Sequence, residues 1–240
     1  AYATLRGYGS GTPEGNGVNC YPTCEYVFFT QECSSDEACI PTRGTDWFDG
    51  GRYQQYQRHN WDANNTGILS IWRYNFTGVS KVNAIIYQVD KSGLTDEAKN
   101  KVKAELRVLR AYYYYNLLDC FGNVPISTDF TEKVLPTNST RKEVFEFIEK
   151  ELKEIMPLLP SGVTYGRFTQ NVANTLLARL YLNAEVYTGS PRWQDCLDAC
   201  DKVQGYQLTP NYKASFAIQN EKSPEIIFAI PYDHKQGTVG

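Results

Sequence analysis

The sequence predicts a mainly α-helical protein in which a tetratricopeptide-like helical array follows a long irregular N-terminal ligand loop. Two observations favour this fold class. From residue 68 onward, apolar residues recur at spacings of three, four and seven, which is the helical period, and helix-capping signals flank several of these runs. Residues 9–65 instead carry seven glycines and no sustained period. The chain therefore divides into an irregular region and a helical region.

The irregular region at residues 9–65 is predicted to be functional. Irregular stretches longer than about 15 residues are usually functional or disordered. This one carries Trp47, Phe48, Tyr53 and Trp61, whereas disordered segments are poor in aromatic residues. Its side chains are therefore candidates for a binding surface.

Four of the seven cysteines, Cys20, Cys24, Cys33 and Cys39, cluster in this region. We expect them to form two disulfides in an oxidising, extracytoplasmic setting, and the pairing stays open. Zinc is the alternative, although the spacing lacks the closely paired ligands of structural zinc sites. The other three, Cys120, Cys196 and Cys200, are interpreted as small buried apolar residues.

The first two helices of the array are predicted from their periodicity and their ends. The first begins near Ile68 and ends at Gly93. The second begins at Thr95, which precedes an acidic first turn, and Gly122 ends it. These boundaries give two long helices joined by a short turn.

Three further helices complete the predicted array. Thr140 and Glu143 form a capping box for a helix that ends before Pro157. The next runs from about residue 169 to 187, and the last covers residues 191–203 with Ser190 as its N-cap. The last two resemble a tetratricopeptide pair, which would stack on the earlier helices. Residues 225–231 form a single strand-like run without a partner.

Composition and motifs exclude several function classes. The 24 basic and 27 acidic residues give a net charge of -3, so no basic field is available for nucleic acid. No apolar run reaches the roughly 18 residues of a membrane span. Common hydrolase and nucleotide-binding motifs are absent, and there are two histidines. We therefore expect no enzyme activity, cofactor or metal site; the alternative is a glycoside hydrolase that uses a pair such as Asp46 and Asp49.

Several motifs in order resemble the SusD/RagB-like outer-membrane proteins of Bacteroidetes. They are SSDE at residues 34–37, PTRGTDWFDGG at 41–51, WDAN at 61–64, ELRVLRAYYYY at 105–115 and FGNVP at 121–125. Thr45 departs from the family pattern, in which glycine is common. Because family members are longer, residues 1–240 are interpreted as the N-terminal part of one SusD-like domain: 9–65 the irregular loop, 66–205 the helical region, and 206–240 the start of the C-terminal part.

The resemblance implies a function for the chain. It implies a lipoprotein on the cell-surface face of the outer membrane, with its N-terminal lipid anchor outside this segment. Such a protein captures oligosaccharides without cleaving them and delivers them to a SusC-like TonB-dependent transporter. A peptide-binding member of the same family is the alternative, as is a tetratricopeptide scaffold that binds peptides and no sugar.

The resemblance also implies a ligand site between residues 43 and 64. Glycan-binding members draw a tryptophan, an arginine and an asparagine from this stretch. The candidate ligand-binding residues are Arg43, Asp46, Trp47, Trp61 and Asn64. An indole provides a flat apolar face for a sugar ring, and a guanidinium beside an amide can orient its hydroxyls. The alternative is that Trp47 and Trp61 pack the loop onto the helices.

Overall fold

The computed structural model describes residues 1–7, 26–132 and 135–231 of the 240-residue chain. Across these three ranges the regular structure is helical, and the only β-type pairings are two isolated bridges, Arg43 with Asp46 and Pro125 with Asn138. The prediction of a mainly α-helical protein is therefore confirmed. None of the described helices combines the length and the apolar character needed to cross a bilayer.

Eight α-helices follow one another along the described chain. Five short 3-10 turns lie before, between and after them, and the second of these, at Asp49–Gly51, immediately precedes α2. The helices are α1 Tyr26–Cys33, α2 Arg52–Arg58, α3 Thr66–Lys91, α4 Asp96–Phe121, α5 Arg141–Ile155, α6 Gln170–Leu182, α7 Ala184–Thr188 and α8 Trp193–Asp201.

The chain divides into two compact units, and the first covers Ala1–Gly78. One cluster of its core consists of the buried residues Cys33, Tyr53 and Tyr56, with Phe29 and Ile68 packed against them. These side chains come from α1, α2 and the start of α3. This cluster thus holds the segment that carries Trp47 and Trp61 in place, although the sequence before residue 66 shows no helical periodicity.

The second unit covers Val79–Pro231, and its core lies between α4 and α5. Leu109 and Leu117 of α4 are buried, as are Val144, Ile148 and Leu152 of α5. The α5 positions are four residues apart and the α4 positions are eight apart, close to one and two helical turns, so each helix presents one apolar face to the other. Burial of these faces is the main stabilising contribution to the pair.

A buried ion network crosses the interface between α4 and α5. Arg110 donates to Glu151 Oε2 from Nε at 2.9 Å and from Nη2 at 2.6 Å, and its Nη1 donates to Asn83 Oδ1 at 2.8 Å. Arg107 donates to the other carboxylate oxygen of Glu151, also at 2.6 Å from Nη2. Because both charges are desolvated, removing one partner is costly, whereas the intact network mainly specifies the register of the helices.

The last helices form the predicted tetratricopeptide-like pair, in which α6 packs against α8. Glu149 of α5 joins this part of the unit: Tyr181 donates to its carboxylate at 2.8 Å, and Arg192 does so at 3.1 Å. Burial raises the pKa of Glu149, but hydrogen bonds from Lys153 and Tyr181 outweigh it, so its pKa lies below the usual value. This carboxylate therefore stays ionised and connects three helices.

Most predicted helix ends agree with the structure. Thr95 accepts a hydrogen bond from the Ala98 backbone N–H at 3.3 Å. At the start of α5 the capping box is complete: Thr140 accepts from the Glu143 N–H, and the Glu143 carboxylate accepts from the Thr140 N–H at 2.7 Å. Thr169 caps α6 through the Val172 N–H. These caps depend on residues three positions apart and are therefore local.

The predicted last helix was wrong at its start. It begins at Trp193, and Arg192 rather than Ser190 is its N-cap. Ser190 instead exchanges hydrogen bonds with the Thr188 hydroxyl, which closes a turn after α7, and the Arg192 guanidinium pairs with Asp195 in the first turn of α8. The preceding helix was predicted as one and is divided at Asn183 into α6 and α7.

The strand-like run at residues 225–231 belongs to no sheet of the described chain, and two interpretations, of the cysteines and of residues 9–65, need correction. Residues 225–231 form no strand, because no neighbouring strand is present among the described residues; Phe228 stacks on Phe168 instead, with ring centroids 4.8 Å apart. Cys200 is exposed rather than buried, while Cys120 and Cys196 are only partly buried. Residues 9–65, predicted as irregular, contain the short helices α1 and α2.

Candidate ligand-binding site

A row of four aromatic rings runs through the first unit. The ring centroids of Trp47 and Tyr53 are 5.9 Å apart, those of Tyr53 and Tyr56 are 6.2 Å apart, and those of Tyr56 and Trp61 are 6.5 Å apart. The two tyrosines are buried, whereas Trp47 is 46% exposed and Trp61 is 39% exposed. The row therefore anchors two indoles in the core and leaves part of each open to a ligand.

A tight turn positions Trp47 at one end of the row. Arg43 and Asp46 exchange backbone hydrogen bonds of 3.1 and 3.0 Å, and Gln54 of α2 donates to the Thr42 hydroxyl next to this turn. Trp47 has a left-handed backbone with φ of 59°. A non-glycine residue in this region is strained by roughly 1–3 kcal/mol, so the surroundings must hold it in place.

The departure from the family pattern at Thr45 does not disturb this turn. The left-handed position that needs a glycine is filled by Gly44, with φ of 64°, while Thr45 is not among the residues with positive φ. A Cβ on Gly44 would meet no atom, so the backbone conformation rather than crowding is the reason for glycine there. The threonine at position 45 is thus compatible with the turn.

A cleft of about 550 Å³ lies beside the turn. Its lining includes Asp46, Trp47, Phe48, Asp49 and Arg52. The Arg52 guanidinium lies 4.7 Å from the centre of the Tyr53 ring, donates to the Tyr53 hydroxyl at 2.7 Å, and is 4.0 Å from Asp49. The cleft thus combines exposed ring faces, a fixed donor and two carboxylate acceptors, and its size is typical of small-ligand sites.

The other end of the row consists of Trp61 and the residues around it. His59, which ends α2 with a left-handed φ of 53°, places its ring centroid 5.6 Å from that of Trp61. Asp62 accepts a hydrogen bond from the Asn64 backbone N–H at 2.8 Å, which forms a turn that leaves the Asn64 side chain exposed. Trp61 and Asn64 therefore lie together on an accessible surface.

The five predicted ligand residues fall into two groups. Arg43, Asp46 and Trp47 lie in one turn, and the last two line the cleft. Trp61 and Asn64 lie at the opposite end of the aromatic row and are not among the cleft-lining residues. All five are exposed, so the structure leaves each of them available to a ligand. Their binding role stays a prediction.

Asn65 is a positioning residue that the sequence reasoning missed. Its Oδ1 accepts from the Tyr56 hydroxyl at 3.1 Å and from the Gly67 N–H at 3.0 Å, while its Nδ2 donates to Gln55 Oε1 at 2.6 Å. It thereby caps α3 and ties α2 to it. An asparagine directly before an apolar periodic run is an N-cap signal, which could have identified it. Arg52 and Phe29 of the cleft had no such signal.

The cysteine cluster is described only in part. Cys33 is buried and Cys39 is exposed, and the two are not bonded to each other. Burial raises the pKa of the Cys33 thiol, so it is a poor nucleophile. Cys20 and Cys24 lie outside the described residues, and the expected disulfides stay a prediction. Within the described ranges, no three His, Cys, Asp or Glu side chains come together in a group that could hold a metal ion.

Comparison with protein families and known proteins gives consistent findings. Residues 34–182 match the SusD-like family described as "Starch-binding associating with outer membrane". The chain is similar to the starch-binding protein SusD of Bacteroides thetaiotaomicron, with 35% identity over 173 residues, which is 68% of this chain and 31% of that protein. It is 26% identical to a SusD-like protein of Bacteroides ovatus over 255 aligned positions, covering 92% of this chain and 45% of that protein. The chain thus spans less than half the length of these relatives.

Solved structures show the same fold. The surface glycan-binding protein A of Bacteroides thetaiotaomicron, determined in complex with laminarihexaose, superimposes with a TM-score of 0.74 at 21% identity, over 97% of this chain and 47% of that one. The corresponding protein of Bacteroides uniformis has a TM-score of 0.72 at 21% identity, over 83% of this chain and 45% of that one. At 21% identity, this structural similarity shows the fold alone.

Proposed function

The chain belongs to the SusD-like family, and from this premise we propose that it captures oligosaccharides at the cell surface without cleaving them. The captured sugar passes to a SusC-like TonB-dependent transporter in the outer membrane. A lipid anchor on a segment N-terminal to these residues holds the protein to the membrane. Nucleic acid is not a partner, because the net charge of -3 offers no basic field.

The observation that carries this proposal is the aromatic row with an exposed indole at each end. Sugar rings have apolar faces edged by hydroxyls, so they bind to flat aromatic surfaces flanked by hydrogen-bonding groups. Trp47 provides such a surface beside Asp46 and Arg52, and Trp61 provides one beside Asn64. Because Tyr53 and Tyr56 hold both indoles from behind, little conformational entropy is lost when a ligand binds.

The relatives support the same ligand class. One is named as a starch-binding protein, and the solved structure with the same fold was determined with laminarihexaose. These two glucans differ in linkage, so the family accommodates more than one glycan. We therefore propose an oligosaccharide as the ligand without choosing its linkage.

A glycoside hydrolase is the second candidate, because Asp46 and Asp49 both line the cleft. Hydrolysis requires one carboxylic acid that stays protonated and a second, ionised carboxylate. Asp49 lies 4.0 Å from the Arg52 guanidinium, where it serves as an acceptor, and the backbone of Asp46 is engaged in the turn with Arg43. This arrangement suits two hydrogen-bond acceptors better than an acid and a nucleophile.

Calorimetry with maltohexaose and laminarihexaose tests the proposal, with chromatography of the same mixtures after prolonged incubation. We expect heat of binding with at least one sugar and no shorter products. Shorter products would favour the hydrolase. Binding of a tryptic casein digest, with no response to either sugar, would favour a peptide-binding member of the family and contradict the proposal.

A further inference from the structure

A second cleft, of about 710 Å³, lies in the helical unit between the end of α5, α6 and α8. All of its lining residues fall between positions 153 and 204, so it shares none with the aromatic loop. We propose that this cleft is a second saccharide-binding site, with Asn174 as its central hydrogen-bonding residue. The choice of ligand class rests on the proposed function of the loop, whereas the existence of the site does not.

Asn174 is the observation that points to a ligand. Its side chain lines the cleft from α6 and is 7% exposed, yet no hydrogen bond to its amide is present among the described residues. The amide atoms are not among the solvent-inaccessible side-chain atoms that lack a partner, so they are open to the cleft, where water or a ligand can pair with them. The amide is therefore available to a molecule in the cleft.

The neighbouring amides show that the lack of a partner is specific to Asn174. Asn171, one turn earlier on α6, donates to the Gln204 carbonyl at 2.9 Å and accepts from the Gln204 N–H at 3.1 Å. Gln170 donates to the Leu159 carbonyl at 3.1 Å. These amides join helices and loops to one another. Asn174 lies on the same helix but makes no such hydrogen bond.

The opposite wall of the cleft comes from the end of α8 and supplies acceptors and a cation. Asp198 and Asp201, three residues apart on α8, both line the cleft. The Lys202 ammonium also lines it, is in no direct ion pair with a residue that the structure describes, and contributes to lowering the pKa of Asp195, a further lining residue. Tyr181 cannot add a stacking surface, because Arg192 lies 4.9 Å from its ring centre and its hydroxyl donates to Glu149.

This wall favours a hydroxyl-rich ligand. Carboxylates only accept hydrogen bonds and an ammonium only donates, while the Asn174 amide does both. A sugar hydroxyl can donate and accept at once, so vicinal hydroxyls can pair with Asn174 and with the α8 side chains together. A peptide terminating in a carboxylate would meet the acidic wall unfavourably. The floor of Leu177 and Ala199 is suited to an apolar ring face.

The test uses a protein in which the loop site is removed by the double substitution Trp47→Ala and Trp61→Ala. Calorimetry with maltohexaose and laminarihexaose then measures the remaining site. We expect residual binding that Asn174→Ala weakens by about five- to tenfold, the loss of one or two hydrogen bonds. Lys202→Ala, at the C-cap of α8, should weaken it too, and Lys142→Ala, at an exposed lysine of α5, should not.

The outcomes separate this inference from the proposed function. If the unmodified protein binds one equivalent of sugar and the loop substitutions abolish it, the second site is wrong and the loop function stands. Residual binding that neither Asn174→Ala nor Lys202→Ala changes also overturns the site. If the loop substitutions leave binding intact and Asn174→Ala weakens it, the result supports the second site and refutes sugar binding by Trp47 and Trp61. A casein digest that binds the cleft in place of sugars would overturn the ligand class.

Discussion

Substitution of Trp61 by alanine should separate ligand binding from stability. Trp61 is 39% exposed, and its buried part contacts Tyr56 and His59. Trp193 at the start of α8 is 51% exposed and belongs to the other unit, so Trp193→Ala is a matched control. Both substitutions remove a partly buried indole, but only the first removes one from the proposed glycan surface.

The magnitude follows from the exposed area. A tryptophan presents about 250 Å², and 39% exposure leaves roughly 100 Å² for a ligand to cover. At about 25 cal/mol per Å², complete coverage contributes up to about 2.5 kcal/mol, and coverage of one face about 1–2 kcal/mol. We therefore expect the Kd to rise about five- to thirtyfold. The buried remainder of either indole is worth about 2–3 kcal/mol of folding free energy after allowance for the unfolded chain.

Calorimetry with maltohexaose and laminarihexaose measures the Kd, and urea denaturation of the same preparations measures the free energy of unfolding. The expected result is a similar loss of stability in both variants and a loss of affinity in Trp61→Ala alone. Equal affinity in the two variants would refute the reasoning and leave Trp61 as a packing residue of the loop.

Three further predictions concern the ion networks and the cysteines. Glu151→Ala should lower the free energy of unfolding by about 3–5 kcal/mol in urea denaturation, because Arg110 keeps a buried, uncompensated charge; a loss no larger than that of Glu154→Ala, on the exposed side of the network, would contradict this. Since the pKa of Glu149 is lowered in the folded state, its contribution to stability is present above the unfolded pKa of about 4.5 and is lost as the pH falls through the folded value. Glu149→Gln should therefore flatten the acid side of a plot of Tm against pH, and an unchanged slope would count against the lowered pKa. Thiol titration of the denatured, unreduced protein should find three free cysteines, whereas seven would exclude disulfides among Cys20, Cys24, Cys33 and Cys39.

The parts of the fold that the sequence predicts are those determined within one helical turn. The capping box of Thr140 and Glu143 is an example, because each partner is three residues from the other. The start of α8 is different. Whether Ser190 caps it depends on Thr188 in the preceding helix and on the pairing of Arg192 with Asp195. Such competition between neighbouring elements leaves no signal in a periodic pattern.

The candidate site was likewise predicted only where a local sequence motif marks it. The family motifs identify Asp46 and Trp47, and both line one cleft. Arg52 stayed unrecognised because α2 is seven residues long, too short for a helical stripe to be detected. The second cleft had no sequence signal either, since the lack of a partner at Asn174 is a property of three packed helices.

The left-handed backbone at Trp47 limits how this position can vary during evolution. With φ at 59°, β-branched residues are penalised at position 47 whatever the ligand, whereas glycine and asparagine fit the backbone but lack an indole. In a saturation library, selection for folding alone should enrich glycine and asparagine, whereas selection for the proposed sugar binding should enrich aromatic residues. One substitution at position 47 can thus remove the ring while the turn that carries it is retained.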